Sequence, residues 1–416
     1  MYKNTNTTIA IIGAGAAGLT AAATLKRQGY TNITLFEKEA QAGGKCRSIE
    51  YEGRSYELGA GIVASSNHTI MELIEETGTP IETARFGQNN IYDLAQGKVC
   101  DAMFNQFQQA SFLWQLLLRY RRLSWQYNEL DIPGLAHINP ELYHSFAIFA
   151  ERHNIPLVYQ YFERFFTGFG YGYWTDIPAA YTLKYNNWAT LASYLRREIY
   201  TFSNGIQSFW QTIAKSHTIH YNSTIRKIIR TTTGITITTD QSEQPFDKLI
   251  IACPLDNTLS FLDASDEEQD LFSQIQYIDY QTYACTLENF VPGTGFISAH
   301  FNANKKGHPV FWYKRYPDSN FYTFYVISDF SLPESVIRSN IATAVAQLGG
   351  KIIKYHHVVK WRYFPHVSTE VMQGGYYERL EALQSVRNTY YVGELFNFSM
   401  VELTAAYAKQ LVTKYF

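Results

Sequence analysis

Gly13-Ala14-Gly15-Ala16-Ala17-Gly18 sets three glycines at the spacing G-x-G-x-x-G. The first permits a tight turn, the second lets backbone approach a pyrophosphate, and the third lets the following helix pack on the preceding strand. A helix that opens there also aims its free amides at the anion. Glu37 lies 24 residues after Gly13. A carboxylate at that distance can accept both hydroxyls of an adenosine ribose. A second pair, Gly43-Gly44, runs into Lys45-Cys46-Arg47-Ser48, and Tyr56-Glu57-Leu58-Gly59-Ala60-Gly61 adds more small residues. A nicotinamide dinucleotide needs no second pair at this point. A larger dinucleotide does, because its flat ring lies along more backbone. No other G-x-G-x-x-G occurs, so no separate nicotinamide site is expected.

Phe165–Trp174, FFTGFGYGYW, alternates aromatic rings with glycines. Such a strip can line an apolar slot with flat rings, the glycines letting a ligand come close. It can equally be an aromatic core strand. Phe166, Phe169, Tyr171, Tyr173 and Trp174 are its candidate slot residues. The eleven histidines show no metal-ligand spacing, and His356-His357 fall on opposite faces if that segment is a strand. No metal site is expected. No serine elbow and no Cys-His signature is present.

The elements that hold these residues follow from pattern. Thr8–Ile12 is an apolar strand, Leu19–Gln28 a helix, and Ile33–Phe36 a second strand ending on Glu37, a βαβ start. Ile225–Ile229, Ile235–Thr239, Leu249–Cys253 and Tyr390–Val392 are later strands, and Val401–Phe416 is a helix. The nucleotide-binding elements are therefore split in three. The expected fold is α/β: a Rossmann-type dinucleotide-binding domain (1–86, 200–265 and 385–416) interleaved with a helical cap carrying the aromatic slot (87–199) and an α+β substrate domain (266–384). The length of 416 residues leaves room for two or three domains. Hydrophobic residues at 46% and aromatics at 16% exclude disordered and low-complexity classes. A net charge of −2 gives no electrostatic footprint for nucleic acid. Four scattered cysteines and no leader layout favour a cytoplasmic protein. Ala102–Leu118 is too polar to span a bilayer. The arginines at 119, 121 and 122, beside Phe112–Leu118, fit either transient contact with an anionic membrane surface or a solvated end of the cap helix.

Taken together, Gly13–Gly18, Glu37, Gly43–Ser48, Glu57–Ala60, Asp247–Pro254 and Gly393-Glu394 resemble the flavin amine oxidase superfamily. The resemblance implies bound FAD. Its contacts would come from Gly13, Gly15, Ala16, Ala17 and Gly18, from Glu37 and Lys38, and from Gly43, Gly44, Lys45 and Cys46. Gly59, Ala60 and Ile225 would add to them, as would Gly393, Glu394, Met400 and Val401 at a C-terminal helix facing the ring. Residues 166–172, 178–185 and 363–368 are similar to the bacterial fatty acid double-bond isomerases of that superfamily. This second resemblance implies hydride transfer between flavin N5 and an apolar substrate, an unsaturated fatty acid or similar lipid, with an allylic cation held between rings. Phe169 and Tyr194 occupy the two ring positions, where the group has Phe in place of Tyr194. The group's carboxylate-binding Arg aligns with Gln88, and Arg85 is the nearby candidate anchor. An oxidase of amines or other substrates, releasing hydrogen peroxide, is the alternative. For it, Lys360-Trp361 resembles the superfamily's lysine near N5, with Phe396 or Phe398 as a ring. A non-catalytic flavoprotein or lipid carrier is a third reading.

Overall fold

The structure is a computed structural model. It describes residues 4–84, 89–93, 98–100 and 104–416, with only the backbone of 89–91, 93 and 98–100. Strand Ile9–Ile12 is buried at every position, as a central parallel strand must be. It pairs in parallel with Ile33–Phe36 on one side and Lys248–Ile251 on the other. Thr218–His220 and Thr389–Tyr391 complete a five-stranded, all-parallel sheet. Helices Ala16–Arg27 and Val401–Tyr415 pack on each other beside this sheet. The first helix starts three residues earlier than its apolar pattern indicates, since the glycine turn ends at Gly15 and Gly18 already lies within the helix.

A seven-stranded sheet builds the second layer. Its strand order is Lys351–His366, Gln276–Glu288, Phe321–Ile327, Pro309–Tyr313, Thr294–Phe296, Asn89–Asp93 and Lys98–Cys100. The long strand Gln276–Glu288 pairs antiparallel with Phe321–Ile327 and Lys351–His366. On the outer of these, His357 is exposed while His356 packs on Tyr51 and Phe321, as adjacent strand residues must.

Helices between residues 106 and 195 form the third body. Phe165–Trp174 is not a strand. It is the last turn of helix Pro156–Gly168 and the coil that leaves it. Gly170 has φ +87°, and a Cβ there would stand 2.7 Å from the Tyr280 ring, so only glycine lets that ring lie on the chain. Lys184, buried in helix Ala179–Tyr185, donates to the carbonyls of Leu130, Ile132 and Gly134 at 3.0, 2.8 and 2.7 Å. Burial brings its pKa down to about 7. Gly134 N–H in turn donates to Asn397 Oδ1 at 3.1 Å, joining the cap to the C-terminal segment. Among the described residues no helix is long and apolar enough to cross a membrane.

Candidate active site

The glycine loop forms a cradle. Gly13, at φ +105°, donates its N–H to Phe36 O at 2.8 Å. A Cβ on Gly18 would stand 2.0 Å from Gly13 O, so helix and turn touch directly. The two glycine segments also meet: a Cβ on Gly44 would stand 3.2 Å from Gly15 Cα. Gly43, at φ +126°, donates to Ala14 O at 3.0 Å. Helix Ala16–Arg27 has no side-chain cap, so the first-turn amides of Ala16 and Ala17 are free for an anion. Glu37 is buried and accepts from Ala14 N–H at 2.7 Å and Glu39 N–H at 3.0 Å. Ser223 N–H donates to Glu37 O at 2.9 Å, which sets strand Ile225–Arg230 against the same edge. Lys38 points to solvent beside Glu39. Cys46 is buried with its thiol pushed up to about 12, which leaves it unreactive. A Cβ on Gly59 would stand 1.9 Å from Lys45 O, so this glycine too is required by a close approach.

At the other end, helix Val401–Tyr415 opens at Met400 without a side-chain cap. Gly393 has φ +142° and open space where a Cβ would project. Glu394 accepts from Lys45 Nζ at 2.8 Å and from Ser399 Oγ at 2.8 Å. Two uncapped helix ends, a glycine cradle between them and a buried carboxylate fit a dinucleotide carrying a flat ring.

A cavity opens between these segments. One wall is backbone and small residues: Gly59, Ala60, Gly61, Met400 and Val401. Phe169, Tyr171, Tyr185 and Tyr194 come from the helical body. The opposite wall comes from the seven-stranded sheet as alternate residues: Tyr280 and Thr282, Phe311 and Tyr313, Tyr325, and Trp361 and Tyr363. Tyr280 and Tyr171 are fixed by hydrogen bonds to Gly168 O at 2.7 Å and Ser399 O at 3.4 Å, and Tyr363 donates to Tyr171 at 3.2 Å. Burial raises the pKa of each of these phenols, and brings Tyr194 to about 12, so all stay neutral near pH 7.

The charged groups are few. Glu57 reaches the cavity, where it takes hydrogen bonds from Ser48 Oγ at 2.5 Å and Ile206 N–H at 3.0 Å, and faces Arg315 at 3.4 Å. Burial pushes its carboxyl up to about 7 against these donors. Arg164 is different. It is 7% exposed, its Nε has no partner, and its guanidinium makes no hydrogen bond or ion pair among the described residues. It lies over the rings of Tyr161, Phe165 and Phe296 at 4.7, 5.4 and 6.0 Å. Phe165 touches Phe169 and Tyr194, and Phe296 touches Phe169 and Phe311. Arg164 therefore sits one ring behind the cavity wall, its pKa lowered by burial.

Of the residues expected from sequence, Phe169, Tyr171 and Tyr194 meet at the cavity together with Lys45, Gly59, Ala60, Met400 and Val401. Phe166, Tyr173 and Trp174 are not among its described lining residues. Phe166 and Trp174 pack on each other at 5.5 Å, and Trp174 faces Phe146 and Tyr159. Tyr173 joins the cluster of Phe296 and Phe311. Phe166 points elsewhere because it shares a helix face with Phe162 and, like it, is buried in the interior of the helical body, while Tyr173 and Trp174 belong to the coil that leaves the helix. Arg85 and Gln88 lie outside the described residues. Lys360 is exposed, because Trp361 and Tyr363 take the cavity face of their strand. Among the described residues the lysine at the cavity is Lys45. Phe398 is buried behind Tyr171, and Phe396 stacks on Tyr407. Sequence reasoning missed the sheet wall, which is readable as period-two alternation once the strands are known. It also missed Arg164, which within FERFF looks like an ordinary helical cation.

This arrangement defines an oxidoreductase-type dinucleotide site with a ring-lined chamber. Residues 16–394 match the family described as flavin containing amine oxidoreductase, and the chain belongs to it. It is accordingly an FAD-dependent enzyme. A crystal structure of the CLA-producing fatty acid isomerase from P. acnes is similar over all of both chains, with a TM-score of 0.94 and 28% identity. The FAD-dependent oxidoreductase dpchF of Colletotrichum higginsianum is 25% identical over 427 residues, covering 92% of this chain and 88% of that protein. The polyenoic fatty acid isomerase of Ptilota filicina is 34% identical over 71 residues, covering 17% of this chain and 14% of that one.

Proposed function

We propose that the protein is a redox-neutral isomerase that moves a double bond of an unsaturated free fatty acid or similar lipid. The observation that carries this is the chamber itself: rings on two sides, the flavin-type backbone segments on the third, and an unpaired buried guanidinium one ring away. The whole-chain similarity to the P. acnes isomerase supports it. Bound FAD supplies a centre that accepts a hydride and can return it. The chain's own residues do the rest. Gly13–Gly18, Gly43-Gly44 and Glu37 would hold the nucleotide, and the free amides that follow Met400 would serve the ring. Phe169 and Tyr194 present ring faces to an allylic cation, each contributing roughly 0.5–2 kcal/mol. The neutral phenols and aromatic walls keep water from the cation. Arg164, one ring behind the wall, attracts the carboxylate across that ring, with Arg85 as the cation expected to contact it. The described cysteines, Cys46, Cys253 and Cys285, are free thiols, as a cytoplasmic enzyme would have. The test is isotopic: deuterium placed at the carbon between two double bonds should reappear in the conjugated product. Its complete loss to solvent would reject the proposal.

A further inference from the structure

Residues Gln106–Gln126 form one helical run: α over Gln106–Trp114, π over Gln115–Tyr120 and α again over Arg121–Gln126. Its inner face is ordinary core, with Leu116, Tyr120 and Leu123 buried. Its outer face is not ordinary. Phe107 is 88% exposed, Trp125 78% and Leu118 59%, and Leu113, Trp114 and Leu117 are about half exposed. Six of the fourteen large apolar side chains exposed among the described residues are therefore on this single run. A soluble surface rarely gathers apolar side chains in this way.

Charge on the same run points to what covers it. No Asp or Glu occurs from Ala102 to Asn128, while Arg119, Arg121 and Arg122 do, in a chain whose net charge is −2. Arg119 lies over the Trp114 ring at 4.2 Å, and Arg122 is exposed. Large aliphatics, two tryptophans and arginines without acids on the exposed face of a helical run are the composition of an interfacial segment. The run is also continuous with the chamber. Phe112 touches Tyr161 at 4.8 Å, Tyr161 touches Phe165 at 5.4 Å, and Phe165 touches Phe169 at 6.0 Å. Arg121 lies over Trp188, which opens the helix carrying Tyr194.

We infer that Gln106–Gln126 docks on an anionic lipid surface, its apolar side chains in the interface and its arginines among the headgroup phosphates. This surface function does not rest on the reaction proposed above. It is tested on the full FAD-loaded chain by co-sedimentation with phosphatidylcholine vesicles, with and without phosphatidylglycerol. Binding is expected to the anionic vesicles only, and to fall with added salt. Arg122→Gln should weaken it about fivefold. The pair Phe107→Gln and Trp125→Gln should weaken it at least about tenfold, since two rings leave the interface. Both positions are exposed, and unchanged FAD content checks the fold. Should that pair misfold, Arg122→Gln alone decides. Absence of binding to anionic vesicles, equal binding to neutral ones, or binding unmoved by the variants would overturn the inference. So would a stable dimer that Phe107→Gln and Trp125→Gln dissociate, because a second copy would then cover this face.

Discussion

Replacing Arg164 with Met separates a ligand-binding cation from a structural one. The Arg164 side chain is buried, its Nε has no partner, and its guanidinium lies over three ring faces. An unpaired buried charge costs several kcal/mol, and the ring faces offset roughly 2 kcal/mol each at most. Met keeps the length and apolar packing of the side chain while removing the charge. The ligand-free variant should therefore unfold at or above the wild-type temperature. Substrate should respond in the opposite direction. A carboxylate in the chamber that loses the attraction of a cation one ring away gives up about 1–2 kcal/mol, or roughly 5- to 30-fold in affinity. Thermal unfolding and calorimetric titration of the FAD-loaded protein with a free fatty acid and its methyl ester read both effects. The acid should lose affinity, while the ester should bind wild type and variant alike. A variant that is clearly less stable yet binds the acid as tightly as wild type would refute the reasoning.

The other predictions concern the cofactor, the rings and the scaffold. Gly15→Trp should yield protein without FAD on denaturing release, because the indole fills the space facing Gly44. Glu37→Ala should weaken FAD by about 1–3 kcal/mol in a titration of apoprotein, since it removes a buried acceptor for two amides as well as for ribose. Phe169→Ala should slow turnover with FAD content unchanged, as measured by flavin absorbance. Lys184→Met should lower stability by about 2–4 kcal/mol in denaturant melts, because three carbonyls lose their donor. Burial lowers His217, His300 and His366 to about 4 from the ordinary 6.5. The folded state thus holds them neutral where the unfolded chain protonates them. Their contribution to stability is full above pH 6.5 and is lost as pH falls toward 4, which proton uptake on unfolding would register.

The cofactor half of the site was readable because glycines there answer to local backbone demands. Gly13, Gly18, Gly43 and Gly59 are each required by a positive φ or a close approach, and such requirements leave a fixed spacing in the sequence. The substrate half was less readable. Tyr280, Phe311, Tyr325 and Tyr363 meet only through strand register across separate segments, and alternation alone does not say which face becomes the chamber. The aromatic strip misled for a related reason. Its first rings belong to a helix and its last to a coil, so neighbours in sequence diverge in space, and Phe166 and Trp174 join a core behind Tyr171. Arg164 carried no signal of its own, since only burial without a partner distinguishes it from a surface arginine.

The central claim is that the reaction is redox-neutral, and anaerobic turnover of a polyunsaturated free fatty acid tests it most directly. Conjugated-diene absorbance and the flavin spectrum would be recorded together, with peroxide assayed after air is admitted. The account predicts conjugated product without oxygen or nicotinamide, an oxidised flavin spectrum at the end, and no peroxide. Lasting bleaching of the flavin by substrate, followed by stoichiometric peroxide in air, would contradict it and mark the protein as an oxidase.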